Sequence, residues 1–392
     1  MKSSPKPSLR LTTLFKEFFQ SQQSAGILLI LATAISLLLA NSAWGPSYIA
    51  FWGQKIGISS HQFHLEHSIT EWINDALMTI FFLLVGLEIE RELYIGELSD
   101  RKRAMLPMMG ALGGMVMPAL IYLIFNFNHP ATISGAGIPT ATDIAFAIAI
   151  MGLLGDRVPT ALKVFLTALA IIDDLGAILV IALFYGGGFN GLYLILSALI
   201  IAILYFLNKR ENENGWLFLI LGISLWFCML HSGIHATLSG VILAFALPFK
   251  SGKPQTLSYR VEHSIQWPVS YIILPLFALS NTAIAIPEDI STLVSNPASI
   301  GIFFGLVVGK PLGIVLASLL AVKLGVASLS SNINFKKLLG AGILGGIGFT
   351  MAIFVDNLAF TDSALIDLGK VSILIASSVC AMLGFFLLRG ND

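Results

Sequence analysis

Run after run of mostly apolar residues divides this chain, each of them about the twenty residues a helix needs to cross a bilayer. Twelve can be read, at 24–41, 73–93, 104–125, 137–155, 160–185, 191–208, 215–231, 234–249, 264–285, 300–322, 338–356 and 368–388. The seventh and eighth are separated only by "HSGIH", so a single broken span is an alternative there. Hydrophobic residues make up 56% of the 392 and charged residues only 11%. A soluble domain carries about 25% charged residues, so this chain cannot coat itself for water. Its solvent is the lipid bilayer. The formal net charge is zero, which excludes any general attraction to nucleic acid. Cys228 and Cys380 both lie in apolar runs and suggest neither a disulfide framework nor a metal knuckle.

Charge placement tests the count of spans. Cytoplasmic loops of membrane proteins are enriched in Lys and Arg. With the N-terminus inside and twelve alternating spans, only Lys55 and Lys370 of the 22 basic residues fall outside, and Lys310 falls within a span. All the others, from Lys2, Lys6, Arg10 and Lys16 to Lys250, Lys253, Arg260 and Arg389, lie inside. The expected organisation is therefore one all-α integral-membrane domain over 1–392. Residues 1–23 form a cytoplasmic segment, and both termini are cytoplasmic. The basic start before an apolar stretch also resembles a signal peptide, but the stretch is long and more spans follow. The longest extramembrane piece, 42–72, is external. Its "KIGIS" and "FHLE" stretches suit a short β-hairpin, with an irregular loop as the alternative.

Four charges lie well inside the spans: Asp143, Asp173, Asp174 and Lys310. Asp75 and Asp356 sit at span ends. Asp173 is ten residues past Lys163, about 15 Å along a helix and so near the middle of a core about 30 Å thick. Lys310 is thirteen residues from Lys323, about 20 Å from that end and too deep to snorkel. Each such charge costs about 2.5–3.5 kcal/mol on insertion scales. A structural ion pair would account for Lys310 and one aspartate, not for three carboxylates. Intramembrane carboxylates of this kind mark ion pathways.

Two stretches at the same depth break helical pattern. In "GIPTATDIAFA", Pro139 removes a backbone donor in mid-span and three oxygen-bearing side chains, Thr140, Thr142 and Asp143, cluster with it. In "GILGGIGFT", four glycines fall within nine residues. Broken helix is tolerated at membrane depth only inside protein or beside a water-filled cavity, although the glycines also suit close helix packing. "GIFFGLVVGKP" only mimics a nucleotide loop: it has the wrong spacing and lacks Ser or Thr after the lysine. Gly301, Gly305 and Gly309 instead make a small-residue stripe that brings the Lys310 helix close to a neighbour.

Desolvation favours the protonated form of a carboxyl group, and adjacent carboxylates titrate as a coupled unit. Such a pair can be neutralised by protons or by a small hard cation, for which carboxylate, hydroxyl and freed carbonyl oxygens are suitable ligands. If the two occupants exclude each other, one site produces exchange. Two other classes fit less well. An intramembrane aspartyl protease needs a carboxylate on each of two helices, one in a GxGD stretch that is absent from the sequence. A cation channel could use fixed acids, but a buried lysine and broken helices favour alternating occlusion.

At these residues the chain resembles the NhaA-type sodium/proton antiporter family, over nearly its whole length. The resemblance is carried by "WINDALMTIFFLLVGLEIERE", "IPTATDIAFA", "ALAIIDDLGAI", "SGIHATLSGV", "VVGKPLGI" and "GGIGFTMAIF". It implies twelve transmembrane helices in inverted-topology repeats, with the fourth and eleventh unwound and crossing. Interrupted spans in matching places of two halves mark a midplane transport site, a rule for which this family is itself a standard instance. The resemblance further implies that Asp173 and Asp174 carry Na⁺, Li⁺ and protons, that Lys310 pairs with Asp173, and that Asp143 and Thr142 sit at the crossing. It implies electrogenic exchange in a bacterial inner membrane with no cofactor and no nucleotide, and alkaline activation through Glu88, Arg91, Glu92, Arg260, Glu262, His263 and His235. Read by sequence alone, the group from Glu88 to His263 is a solvated helix end and His235 a structural histidine. The family has a second histidine shortly after His263 in some members; here Gln266 and Trp267 follow. The 42–72 segment resembles the family's homodimer contact.

Overall fold

The computed structural model describes residues 7–60, 63–249, 256–287, 289, 291–330 and 332–390. Lys2, Lys6, Lys250 and Lys253 lie outside the described residues. The first helix, α1 (Pro7–Ala40), begins well before the first apolar run and covers all but its last residue. With no breaker between Pro7 and Ala40, the segment expected to precede the first span continues its helix. After α1 come α2 (Gly45–Trp52) and two antiparallel strands, β1 (Lys55–Ser60) and β2 (Phe63–Ser68), in the register Lys55↔Ser68 to Ser60↔Phe63.

The remaining helices are α3 (Ile69–Tyr94), α4 (Arg101–Asn126), α5 (Ile144–Leu153), α6 (Thr160–Phe184), α7 (Gly191–Lys209), α8 (Gly215–Leu230) and α9 (Leu238–Ala246). They are followed by α10, which runs through Leu257–Pro268, Val269–Ile273 and Leu274–Asn281, and by α11 (Pro297–Lys323). The chain closes with α12 (Phe335–Gly345), α13 (Phe349–Ala359) and α14 (Ser363–Arg389). Among the described residues, eight segments are long and apolar enough to cross a membrane, one of them Ile133–Leu153, which ends in α5, or nine if α12 and α13 count as one bent span. The expected spans at 215–231 and 234–249 fall on two separate helices, α8 and α9, of 16 and 9 residues. These are about 24 Å and 14 Å long, shorter than a bilayer core. Gly233, at φ 87°, turns the chain between them in a conformation that favours glycine.

Two helices widen into a π turn shortly before a proline. Val269–Ile273 is followed by Pro275, and Gly305–Gly309 by Lys310 and Pro311. A proline in mid-helix lacks an N–H for the residue four back and crowds that residue's carbonyl, and the wider turn absorbs both effects. The second π turn sets the direction of Lys310.

The glycine stripe of α11 lies against α4. Gly301 faces Tyr122 and Asn126, Gly305 faces Pro139 and Pro118, and Gly309 faces Pro118. Further along, Gly113 and Gly313 approach so closely that a Cβ on either would strike the other's carbonyl oxygen. This backbone-to-backbone contact is what small residues permit between membrane helices. It seats the Lys310 side chain, fully buried, in the middle of the bundle.

Candidate functional site at the helix crossing

Both sequence stretches singled out as breaks are breaks. From Ile133 to Thr140 the chain is a 3-10 helix; Ala141 is extended (φ −88°, ψ 150°), and α5 begins only after Asp143. Gly135 and Gly137 give this segment little helix propensity and Pro139 removes a donor. On the other side, α12 ends at Gly345, and α13 starts at Phe349 after a bend of 44°. Gly348 lets the two breaks meet: a Cβ there would press on the Ala141 carbonyl oxygen at 3.3 Å.

Where they cross, backbone groups freed by one break are satisfied by the other. The Asp143 N–H donates to the Ile347 carbonyl (2.7 Å), and the Thr142 hydroxyl to the Gly345 carbonyl (2.7 Å). The Asp143 carboxylate caps two helices at once. Oδ1 accepts from the Phe146 N–H (2.9 Å) at the start of α5. Oδ2 accepts from the N–H (3.1 Å) and the hydroxyl (2.5 Å) of Thr350 at the start of α13. Helix N-termini carry partial positive charge, and one anion answers both. At the opposite polarity, the Lys310 ammonium donates to the Thr140 carbonyl at the end of the 3-10 segment. A cation beside terminal carbonyls is the matching arrangement.

The same ammonium donates to Oδ2 of Asp173 in α6, forming an ion pair in which both side chains are fully buried. Asp173 and Asp174 are successive helical residues and therefore point about 100° apart. Asp173 meets Lys310, whereas Asp174, 3% exposed, leaves Oδ1 without a hydrogen-bond partner. Asp174 instead lines a cavity of about 20 Å³ with Asp143, Glu88, Ser270 and Thr350 as its polar wall. That is room for about one water-sized particle. The arrangement can therefore hold one small ion or a proton against a carboxylate, with a second carboxylate and an ammonium next to it.

A second group of charges lies toward the end of α3. Arg91 pairs with Glu262 and lies 3.6 Å from Glu92. Glu88, Glu90 and Glu262 are buried, so the reading of this group as a solvated helix end fails for Glu88 and Glu262, whereas Arg91 and Glu92 are half-buried and Arg260 and His263 are exposed. The helix end is covered by α9 and α10 rather than by water, and Glu262 meets the Arg91 that faces it. Glu262 precedes the ninth apolar run; burial pushes its carboxyl up from the ordinary range, and Arg91 works against that. Arg260 does not join the group but reaches Glu213 at 3.7 Å. His263 is exposed, with Nδ1 3.0 Å from the Tyr259 carbonyl and its ring stacked on Tyr259. His235 stands in the turn before α9.

Sequence reasoning missed Glu90, Ser270 and the role of Thr350. Thr350 carried a signal: it ends "GGIGFT" as the threonines of "IPTATD" flank the other break. Ser270 carried none, because only the π turn at Val269–Ile273 brings it to the cavity.

Fold and site together define a multi-pass membrane protein with charge held in its core. A family model described as Na+/H+ antiporter 1 matches residues 16–388. The chain is 50% identical over 381 residues to the Na(+)/H(+) antiporter NhaA of Cytophaga hutchinsonii, covering 97% of this chain and 96% of that one. It is 51% identical to the Flavobacterium psychrophilum protein of the same name (97% of each chain) and 44% identical to that of Vibrio cholerae (97% and 98%). The chain belongs to the NhaA Na⁺/H⁺ antiporter family.

Proposed function

We propose that this protein is an electrogenic antiporter of a bacterial inner membrane, expelling Na⁺ or Li⁺ in exchange for protons. The observation that carries the reading is the unpaired Asp174 carboxyl on the small cavity, next to the buried Asp173–Lys310 pair. A cation in that cavity takes its charge compensation from Asp174 and draws on Asp173, which Lys310 then releases. A proton arriving at the same oxygens excludes the cation and lets Lys310 pair again. Only a loaded site is neutral enough to turn over, so each occupant leaves in exchange for the other. More protons enter than sodium leaves. Each net charge moved contributes about 2.3 kcal/mol per 100 mV of membrane potential.

In this reading the chain is one transporter domain with twelve spans in inverted repeats and both termini cytoplasmic. Thr142 and Asp143 hold the crossing. Glu88, Arg91, Glu92, His235, Arg260, Glu262 and His263 set the pH response. Supporting such a role for Glu88 is its place on the wall of the Asp174 cavity; supporting one for Arg91 and Glu262 is their direct, half-buried contact. Residues 42–72 form the contact of a homodimer. The test is dequenching of a ΔpH dye in everted vesicles on addition of Na⁺, Li⁺ or K⁺, at several pH values. Wild type should respond to Na⁺ and Li⁺. Asp174→Asn should lose at least about a hundredfold in rate, as expected for a group engaged in the transport step itself. Full exchange by the asparagine variant would refute the assignment.

A further inference from the structure

The transport site does not use every buried charge. Asp356 in α13 is fully buried, and neither carboxylate oxygen has a hydrogen-bond partner. It rests in a notch of α14: a Cβ on Gly369 would collide with Oδ1. The next residue, Lys370, is 7% exposed. Lys370 attracts Asp356 and Asp367 repels it, while Asp356 also acts on Tyr122 and Tyr185. These are the charged and titratable groups that face it. The 3-10 segment and the end of α10 also pack on α13, and the Ser134 hydroxyl of the 3-10 segment donates to the Ala359 carbonyl (2.8 Å). On α13 itself, the side-chain N–H of Asn357 donates to Asn281 at the end of α10 (2.8 Å), which donates to Asn74 of α3 (2.8 Å).

Asp356 is six residues beyond Thr350, about 9 Å from the crossing along α13. The tyrosines and the amide row mark that end of α13 as a polar layer. A buried carboxylate with both oxygens vacant is costly in a way that neither packing nor the Asp173–Lys310 pair explains. In contrast to Asp173 and Lys310, the two groups interact without direct contact, which leaves both oxygens available to a proton.

We infer that Asp356, with Lys370 beside it, is a further proton-binding site of this protein, in the external half of the exchange path and distinct from Asp173 and Asp174. On binding, one O–H bond forms at a carboxylate oxygen, no bond in the protein breaks, and the net charge of the pair rises by one. Lys370 disfavours loading at low proton concentration, so the site fills as the external medium acidifies. The sidedness of this inference rests on the topology proposed above.

The experiment sets the pH on the two faces of everted vesicles independently and follows Na⁺-driven proton flux, with lumenal pH standing for the external side. Asp356→Asn should shift the lumenal-pH midpoint by about one unit, the size of effect one nearby charge imposes. The bath-pH midpoint and the proton release on Na⁺ binding to purified protein should stay as in wild type. Asp356→Asn/Lys370→Gln, which leaves no lone buried charge, should show the same one-sided shift and covers the case in which the single variant does not fold. Gly369→Ala, with all charges intact, should shift it as well by displacing the carboxylate. An unchanged midpoint, or equal shifts on both faces, would overturn the inference. Wild type that exchanges nothing would instead overturn the antiport reading.

Discussion

Two lysine–aspartate pairs are buried in this protein, and they are built differently. Lys310 and Asp173 touch, and the ammonium is also held by the Thr140 carbonyl. Asp356 and Lys370 lie on consecutive helices, with the carboxylate oxygens of Asp356 unpartnered. The first pair ties α6 and α11 to the end of the 3-10 segment, so its loss is felt by three elements. The second is tied to its surroundings by shape, through the Gly369 notch, more than by hydrogen bonds. Burial alone therefore says little about what a charge does; the number of groups that depend on it says more.

Removing each lysine is the strongest way to test this contrast. Lys310→Met leaves Asp173 alone in a dry core and should lower stability by about 3–5 kcal/mol, read as a fall in the thermal midpoint of the purified protein near pH 8. The deficit should shrink as the pH falls, because a proton on Asp173 removes the unpaired charge. Lys370→Met breaks no direct ion pair and should cost no more than about 1–2 kcal/mol, within the ordinary range for single substitutions. Equal losses would erase the distinction. Thr350→Ala comes next: it removes one of three bonds to the Asp143 carboxylate and should cost about 1.5–3 kcal/mol, with a matching loss of Na⁺-driven flux. The smallest effect belongs to Arg260→Ala. Its partner Glu213 is 3.7 Å away, and both side chains are largely exposed, so the change should stay within about 1 kcal/mol. An Arg260 effect rivalling that of Lys310 would mean that surface charges, not the crossing, organise the protein.

Much of the crossing is legible in the sequence because lipid penalises two things severely. Charges at midspan and interruptions of helix are both rare there, so Asp143, Asp173, Asp174, Lys310, Pro139 and the glycines of "GILGGIGFT" stand out against apolar runs. What pairs with what is less legible. That Lys310 reaches a backbone carbonyl as well as Asp173 depends on the π turn before it, and Pro311 marks a disturbed helix there without saying which way the lysine turns. Asp356 and Lys370 fall near span ends when residues are counted along one helix. Such counting measures depth along an axis and ignores cover from the side, where the break before α13 and the Gly369 notch bury both. The same reason hides Glu88, Glu90 and Glu262, whose polar sequence neighbourhood suggests water.

The double cap on Asp143 has a consequence for motion. One carboxylate stitches the start of α5 to the start of α13, while Thr142 and the Asp143 amide fasten the same junction to the end of α12. Separating the two breaks would strand several donors and acceptors at once, whereas tilting them together strands none. The crossed helices are therefore held as one piece, and in the exchange proposed above the rocking that would expose Asp174 to each side in turn is expected at the seams around that piece rather than through it.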